Sequence, residues 1–313
     1  MFINRLIEQI QKKENPSVVG LDPLLEYVPE SMRSAAVQKY GQTAKAAAEA
    51  IFRFNQSIID CVNDLVPAVK PQLAYYELYG TEGVECFHRT VRYAQEHGLI
   101  VIADGKRNDI GSTAAAYAKA YLGKTELWED QEHALFDADA LTVNPYLGKD
   151  GIDPFTEACK EHEKGIFVLV KTSNPSSAQL QDMVFENGKT LYEQVAELVE
   201  SWGEDLIGQE GYSSVGAVVG ATWPEQARKL RQVMKHAYFL VPGFGAQGGS
   251  GADAAAAFDN RGLGAIVNAS RSVLCAWSHK RWDGKYTQED FGDAARAEVL
   301  RMKAELNAAI GTV

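Results

Sequence analysis

Nowhere does the chain reach the run of about 18 consecutive apolar residues that a membrane-spanning helix needs, so a transmembrane segment is excluded by pattern. Basic charge is scarce as well. The 31 Lys and Arg against 42 Asp and Glu leave a formal charge of −11, which removes any general attraction to nucleic acid or to anionic membranes. An anionic ligand therefore needs a local basic site. Cysteine is sparse: Cys61, Cys86, Cys159 and Cys275 form no C-x-x-C pair, and a chain of 313 residues has no need of disulfide staples, so they are expected to be buried reduced thiols. The six histidines show no metal-ligand spacing, and no metal is expected. No Gly-, Pro- or Ser-rich linker divides the sequence, and one domain over 1–313 is expected. The opening MFINRLIEQIQKKENPS reads as a short amphipathic helix without the apolar core of a signal peptide, and the expected location is cytoplasmic.

What is present is an ordinary core-forming composition, 46% hydrophobic and 23% charged. Short β-branched runs alternate with longer amphipathic segments. The runs are SVVGL (17–21), AVKPQ (68–72), LIVIADGK (99–106), ALTVNP (140–145), GIFVLVKT (165–172), SVGAVVGA (214–221), YFLVPG (238–243) and AIVNASR (265–271). Near-continuous apolar strands imply a parallel sheet covered on both faces, and eight βα units predict a single α/β (β/α)8 barrel; an open doubly wound sheet is the alternative. The connections at 26–54 and 124–139 exceed the minimum and are expected to hold extra helices or lengthened loops, with the acidic TELWEDQEHALFDAD a solvated helix face.

In such a barrel the chemistry sits where the strands end, and here the ends are charged. The first run closes on Asp22, the second carries Lys70, and the third ends in Asp104 and Lys106 followed by Asp109. Asp104 and Lys106 are two apart, so period-two alternation points both to one face and Gly105 to the other. A buried ion pair holding the barrel mouth is the structural alternative to catalysis. Asp109 reads equally as the N-cap of the helix opening at GSTAAA, which would put Thr113 on the same helix face. The seventh run enters VPGFGAQGGSG and the eighth NASRSV, a Gly-rich loop and Arg271 suited to a phosphate; glycines easing a tight turn are the alternative.

A lysine at a barrel mouth beside a phosphate site serves either as a Schiff-base nucleophile, which must be neutral, or as a proton donor, which must be charged. Aspartates on both sides of Lys106 favour the donor. The DGKRNDI segment at 104–110 resembles the D-x-K-x-x-D-I motif of the orotidine 5′-monophosphate decarboxylases. VGLDP around Asp22, AVKPQLAYYELYG around Lys70, LVKTSNPSS around Ser173 and PGFGAQGG around Gln247 are similar to that family's blocks in the same order, especially in its longer bacterial branch.

The resemblance implies cofactor-free decarboxylation of orotidine 5′-monophosphate to uridine 5′-monophosphate, the last step of pyrimidine nucleotide synthesis. It implies a tetrad of Lys70, Asp104, Lys106 and Asp109, with Lys106 the proton donor. It also implies a homodimer in which Asp109 and Thr113 enter the neighbouring subunit's site. Asp22 would contact the ribose and Ser173 the pyrimidine, with Gln247, Arg271 and the Gly245 and Gly248 backbone at the phosphate. One departure is Ser270, where shorter members often have glycine before the arginine. A Mg²⁺-dependent phosphosugar lyase, an aldolase and an inactive nucleotide-binding barrel are the competing readings.

Overall fold

The computed structural model describes residues 1–128, 131–245 and 248–311. The eight expected runs form β1 (Ser17–Leu21), β2 (Ala68–Pro71), β3 (Ile100–Arg107), β6 (Ala140–Val143), β7 (Gly165–Lys171), β8 (Ser213–Val219), β9 (Ala237–Val241) and β10 (Ala265–Ala269). Two further strands, β4 (Thr125–Trp128) and β5 (Gln131–His133), intervene. The eight pair in parallel around a closed barrel in chain order, with β10 returning to β1 through Val18↔Asn268. The closed sheet disposes of the open alternative, because no strand of the eight is left with an unpaired edge. Among the described residues no helix is long and apolar enough to cross a membrane.

Period-two alternation sorts each strand's side chains. Val18, Ala68, Ile100, Ile102, Phe167 and Ile266 face inward, while Val19, Val69, Val101, Val168 and Val267 face the surrounding helices. The amphipathic helix Phe2–Lys13 closes the lower end of the barrel with Phe2, Ile3, Leu6 and Ile7. Phe2 meets Phe167 edge to face at 6.1 Å. Gly165 and Gly216 make this possible, since a Cβ on the first would lie 2.2 Å from the Phe2 ring and one on the second 2.6 Å from Phe167. With the bottom filled by rings, the barrel opens toward the strands' C-terminal ends.

Extra helices occupy the 26–54 connection as expected, including Glu30–Tyr40 and the start of Ala44–Val62. The acidic 125–139 stretch differs. Instead of a helix face, β4 and β5 pair antiparallel as a small hairpin outside the barrel. Thr125 and Trp128 are residues that favour extended backbone, and this ribbon stays largely in water, with Trp128 78% exposed. The cysteines also divide: Cys86 and Cys159 are buried, but Cys61 and Cys275 are only partly so, and all four are free thiols.

Phe167→Ala should destabilise the protein by about 3–5 kcal/mol, because the rigid strand floor cannot collapse into the space left by the ring. Urea melts should show this loss while ligand binding at the opposite end survives.

Candidate active site

Three strand ends bring opposite charges together at the open rim. Lys70, inward-facing on β2, places Nζ 2.7 Å from Asp104 Oδ2 and 3.9 Å from Asp22 Oδ1, at the end of β1. Lys106 places its Nζ 2.6 Å from Asp104 Oδ1. Asp104 also accepts from Gln72 Nε2 at 3.1 Å and from Thr142 Oγ1 at 2.8 Å, so its two oxygens receive four donors. Asp104 and Lys70 are buried, whereas the Lys106 side chain is 44% exposed toward the rim. Two ammoniums thus share one buried carboxylate, and one of them remains accessible.

Burial alone would raise the Asp104 pKa, but Lys70 and Lys106 outweigh it and hold the carboxyl well below the usual carboxylate range. Burial alone would lower the Lys70 pKa; Asp104 and Asp22 reverse that, and it lies above its ordinary value. Lys70 is therefore an ammonium near neutral pH, the opposite of what a Schiff-base nucleophile requires.

Asp104 and Lys106 share the cavity face and Gly105 turns the other way, as expected, but the strand that carries them is not regular. β3 is bulged: Ala103 pairs with Leu141 and Arg107 with Val143, so Thr142 alone opposes Asp104, Gly105 and Lys106. Lys106 takes φ +46°, a left-handed conformation that costs a non-glycine residue about 1 kcal/mol or more and that the surroundings must enforce. Gly105 is tightly enclosed, since a Cβ there would fall 2.8 Å from Leu73 Cδ1.

A cavity of about 650 Å³ opens over this array, and Asp22, Lys70, Asp104, Lys106, Ser173 and Arg271 all line it. Leu169, Val218 and Leu240 add apolar lining. Asp22 Oδ1 is buried without a hydrogen-bond partner among the described residues, an acceptor left for a ligand. Arg271, beyond the end of β10, lines the cavity, and its guanidinium makes no hydrogen bond or ion pair with a described residue. Beside it, Ser270 fits against β1, where a Cβ on Gly20 would come within 1.8 Å of its Oγ. The charged array and the free guanidinium thus line one cavity that suits an elongated anion.

Other expected residues lie elsewhere on this chain. Asp109 is not the helix N-cap: Ile110 occupies that position before Gly111–Tyr121, and the Asp109 carboxylate accepts from the Ile110 N–H at 2.8 Å. Because Asp109 precedes the helix, it shares no helix face with Thr113, which is exposed in the first turn. Neither lines the cavity. Gly245 and Gly248 have positive φ values of 73° and 94°, and their N–H groups bond within the loop, to Gly249 O and Gly245 O at 2.9 Å each. Gln247 lies outside the described residues.

Sequence reasoning missed Gln72, Thr142, Asn268 and Lys171. Gln72 follows Lys70 by two, and Thr142 and Asn268 are polar residues inside apolar runs, so alternation and polarity offered signals for these three. Lys171 had none. A second bulge, between Leu169 and Lys171, turns this fully buried lysine toward the helices. Its ammonium meets Asp182 at 2.5 Å and lies 4.8 Å from the centre of the Trp223 ring. Gln181, next to Asp182, bonds the Thr172 N–H at 3.0 Å, so this cluster anchors the segment carrying Ser173.

The profile of the orotidine 5′-phosphate decarboxylase / HUMPS family matches residues 19–281. An orotidine 5′-phosphate decarboxylase of Rhodopirellula baltica is 46% identical over 305 residues, covering 97% of this chain and 98% of that protein. One from Caldicellulosiruptor bescii is 43% identical over 309 residues, covering 99% of both. The solved structure of Leishmania donovani OMP decarboxylase superposes with a TM-score of 0.74 at 28% identity, covering 100% of this chain and 99% of that one.

Removing the Lys70 ammonium should leave Asp104 with the partly hydrated Lys106 as its cationic partner, so Lys70→Met is expected to cost roughly 3–5 kcal/mol at pH 7. The depressed Asp104 pKa gives stability that is complete above the unfolded carboxylate pKa of about 4 and is lost as pH falls toward the folded value. The gap between wild type and Lys70→Met should therefore narrow below about pH 4, as measured by denaturant titration across pH.

Proposed function

The chain belongs to the orotidine 5′-phosphate decarboxylase / HUMPS family, and from that premise we propose that it is a carboxy-lyase converting orotidine 5′-monophosphate to uridine 5′-monophosphate, the closing step of pyrimidine nucleotide synthesis. The observation that carries this reading is the pair of ammoniums on one buried carboxylate at the end of an anion-sized cavity.

In this reading the bond from ring carbon six to the carboxylate breaks, CO2 leaves, and the electron pair stays on carbon six. Lys106 then gives that carbon a proton and regains one from water. With no electron sink, the barrier lowering, on the order of 20 kcal/mol, must come from preorganised charge. The accessible ammonium of Lys106 stands where negative charge would grow, and Asp104 lies close to the departing carboxylate. Lys70, locked on the far oxygen of Asp104, keeps the array from relaxing. Leu169, Val218 and Leu240 offer CO2 an apolar wall.

At the other end Arg271 binds the phosphate, joined by Gln247 and by the Gly245 and Gly248 loop once it reorganises. Asp22 takes a ribose hydroxyl with its unpaired oxygen, and Ser173 meets the ring. Phosphate binding energy, gained far from the breaking bond, serves to close the loop. We further propose that residues 1–313 act as one barrel domain, that the enzyme needs no metal or cofactor, and that its four free thiols suit the cytoplasm.

The active unit in this reading is a homodimer, with Asp109 and Thr113 completing the partner's site. Support comes from apolar side chains exposed beside them: Ile110, Tyr117, Tyr146 and Leu147. The segment at Asn108 packs on Gly151, so these side chains belong to adjoining parts of one face.

Ultraviolet absorbance of orotidine 5′-monophosphate, followed with and without a chelator, tests the reaction. Chelator-insensitive loss of the substrate band with CO2 release is expected, and no change with folded protein would overturn the reading. Lys106→Ala should abolish turnover with little change in product affinity, whereas Arg271→Ala should weaken binding strongly; equal effects on both parameters would refute this division. Mixing inactive Asp109→Ala and Lys106→Ala chains should restore activity through hybrid sites, and its absence after demonstrated subunit exchange would sink the shared site.

A further inference from the structure

Among the polar groups at the rim to which neither the motif nor the mechanism assigns a part, one bonds to both Asp104 and Lys106. Thr142, on β6, is 1% exposed and lies between the two residues on which the chemistry depends. Its Oγ1 accepts the Lys106 backbone N–H at 2.9 Å. The same oxygen donates to Asp104 Oδ1 at 2.8 Å. The polarity is forced: a backbone N–H only donates, an ionised carboxylate only accepts, and a hydroxyl has a single proton. The hydroxyl therefore links the Lys106 main chain to the Asp104 side chain in one direction.

The bulge makes that link necessary. Within it three residues of β3 face Thr142 alone, so the ladder offers the Lys106 N–H no carbonyl on the neighbouring strand. The Thr142 hydroxyl takes the place of that acceptor and secures Lys106 at φ +46°, the conformation in which its Nζ reaches back to Asp104. Valine at this position would keep the shape and lose both bonds. The Lys106 backbone would then have no partner to hold it left-handed, and Asp104 Oδ1 would retain only the mobile ammonium as a donor.

We propose that Thr142 is a positioning residue of the reaction, acting through Lys106 and Asp104 by fixing the strained backbone of the proton donor and the orientation of the carboxylate beside it. This inference rests on the decarboxylase reading above. Because phosphate and ribose groups are held by other residues, its loss should appear in the chemical step rather than in binding.

The test compares wild type with Thr142→Val and Thr142→Ser in steady-state decarboxylation, equilibrium binding of uridine 5′-monophosphate and thermal unfolding. Thr142→Val should lower kcat about 10- to 100-fold while KM and product Kd stay within about threefold, the signature of a misplaced catalytic group. Thr142→Ser, which keeps the hydroxyl, should recover most of that loss. If Thr142→Val is isolated unfolded, Thr142→Ala, which adds no bulk at the rim, is read in the same assays. An undiminished kcat in a variant without the hydroxyl would overturn the inference. Parallel loss of folding or product binding in every variant, serine included, would overturn it too, since that marks a packing role. An inactive wild type would instead overturn the decarboxylase reading and this inference with it.

Discussion

A single buried carboxylate sets the terms for the site. Asp104 cannot remain ionised out of water unless its lone pairs are filled, and they are filled from two neighbouring strands, its own strand and the residue following one of them: Lys70 and Gln72 on one oxygen, Lys106 and Thr142 on the other. Each of those donors is constrained in return. Lys70 is kept charged, Thr142 has its proton committed, and Lys106 accepts a left-handed backbone so that its ammonium can return to the carboxylate. The result is a rigid charged floor whose accessible member is the lysine that the proposed chemistry needs to move a proton. Such an arrangement is poor economy for stability, where apolar residues of the same volume would serve as well, and that makes function the better account of it.

The barrel supplies the frame in which this is possible. Closure brings β1, β2, β3 and β6 side by side, so residues separated by up to 120 positions in sequence meet at one rim. The aromatic plug of Phe2 and Phe167 fills the opposite end and leaves the upper end as the place for a cavity. Departures from regular pairing fall where the cavity begins. The bulge in β3 aims Lys106, and the bulge between β7 and β8 turns Lys171 away from the cavity, so that Thr172 and Ser173 line it instead. Lys171, boxed by Asp182 and Trp223, then anchors the segment that carries Ser173 from behind.

Much of this was legible in the chain because it depends on local chemistry. Each β-branched run became a barrel strand, and the polar residues closing those runs marked the rim. Lys70, Asp104, Lys106, Asp22, Ser173 and Arg271, named from motif and strand end, line one cavity. Where local rules misled, a particular competing effect prevailed. The acidic stretch before β6 paired two short strands rather than forming a helix, since Thr125 and Trp128 favour extended backbone and the acids tolerate an exposed ribbon equally well. Asp109 resembled a helix cap by composition, yet the helix began two residues later, after Ile110.

The sequence by itself determined the eight-strand order, the inward and outward sorting of side chains, and the charged character of the strand ends, because alternation and residue chemistry act between neighbours along the chain. Only the tertiary structure decided that Thr142 would face three residues of β3, that Lys106 would sit at positive φ, that Lys171 would turn outward, and that Asp22 would retain an unpaired oxygen. Those outcomes depend on how one strand's length is matched to the next around a closed barrel. Register across a sheet is set by all the contacts at once, and no run of residues encodes it alone.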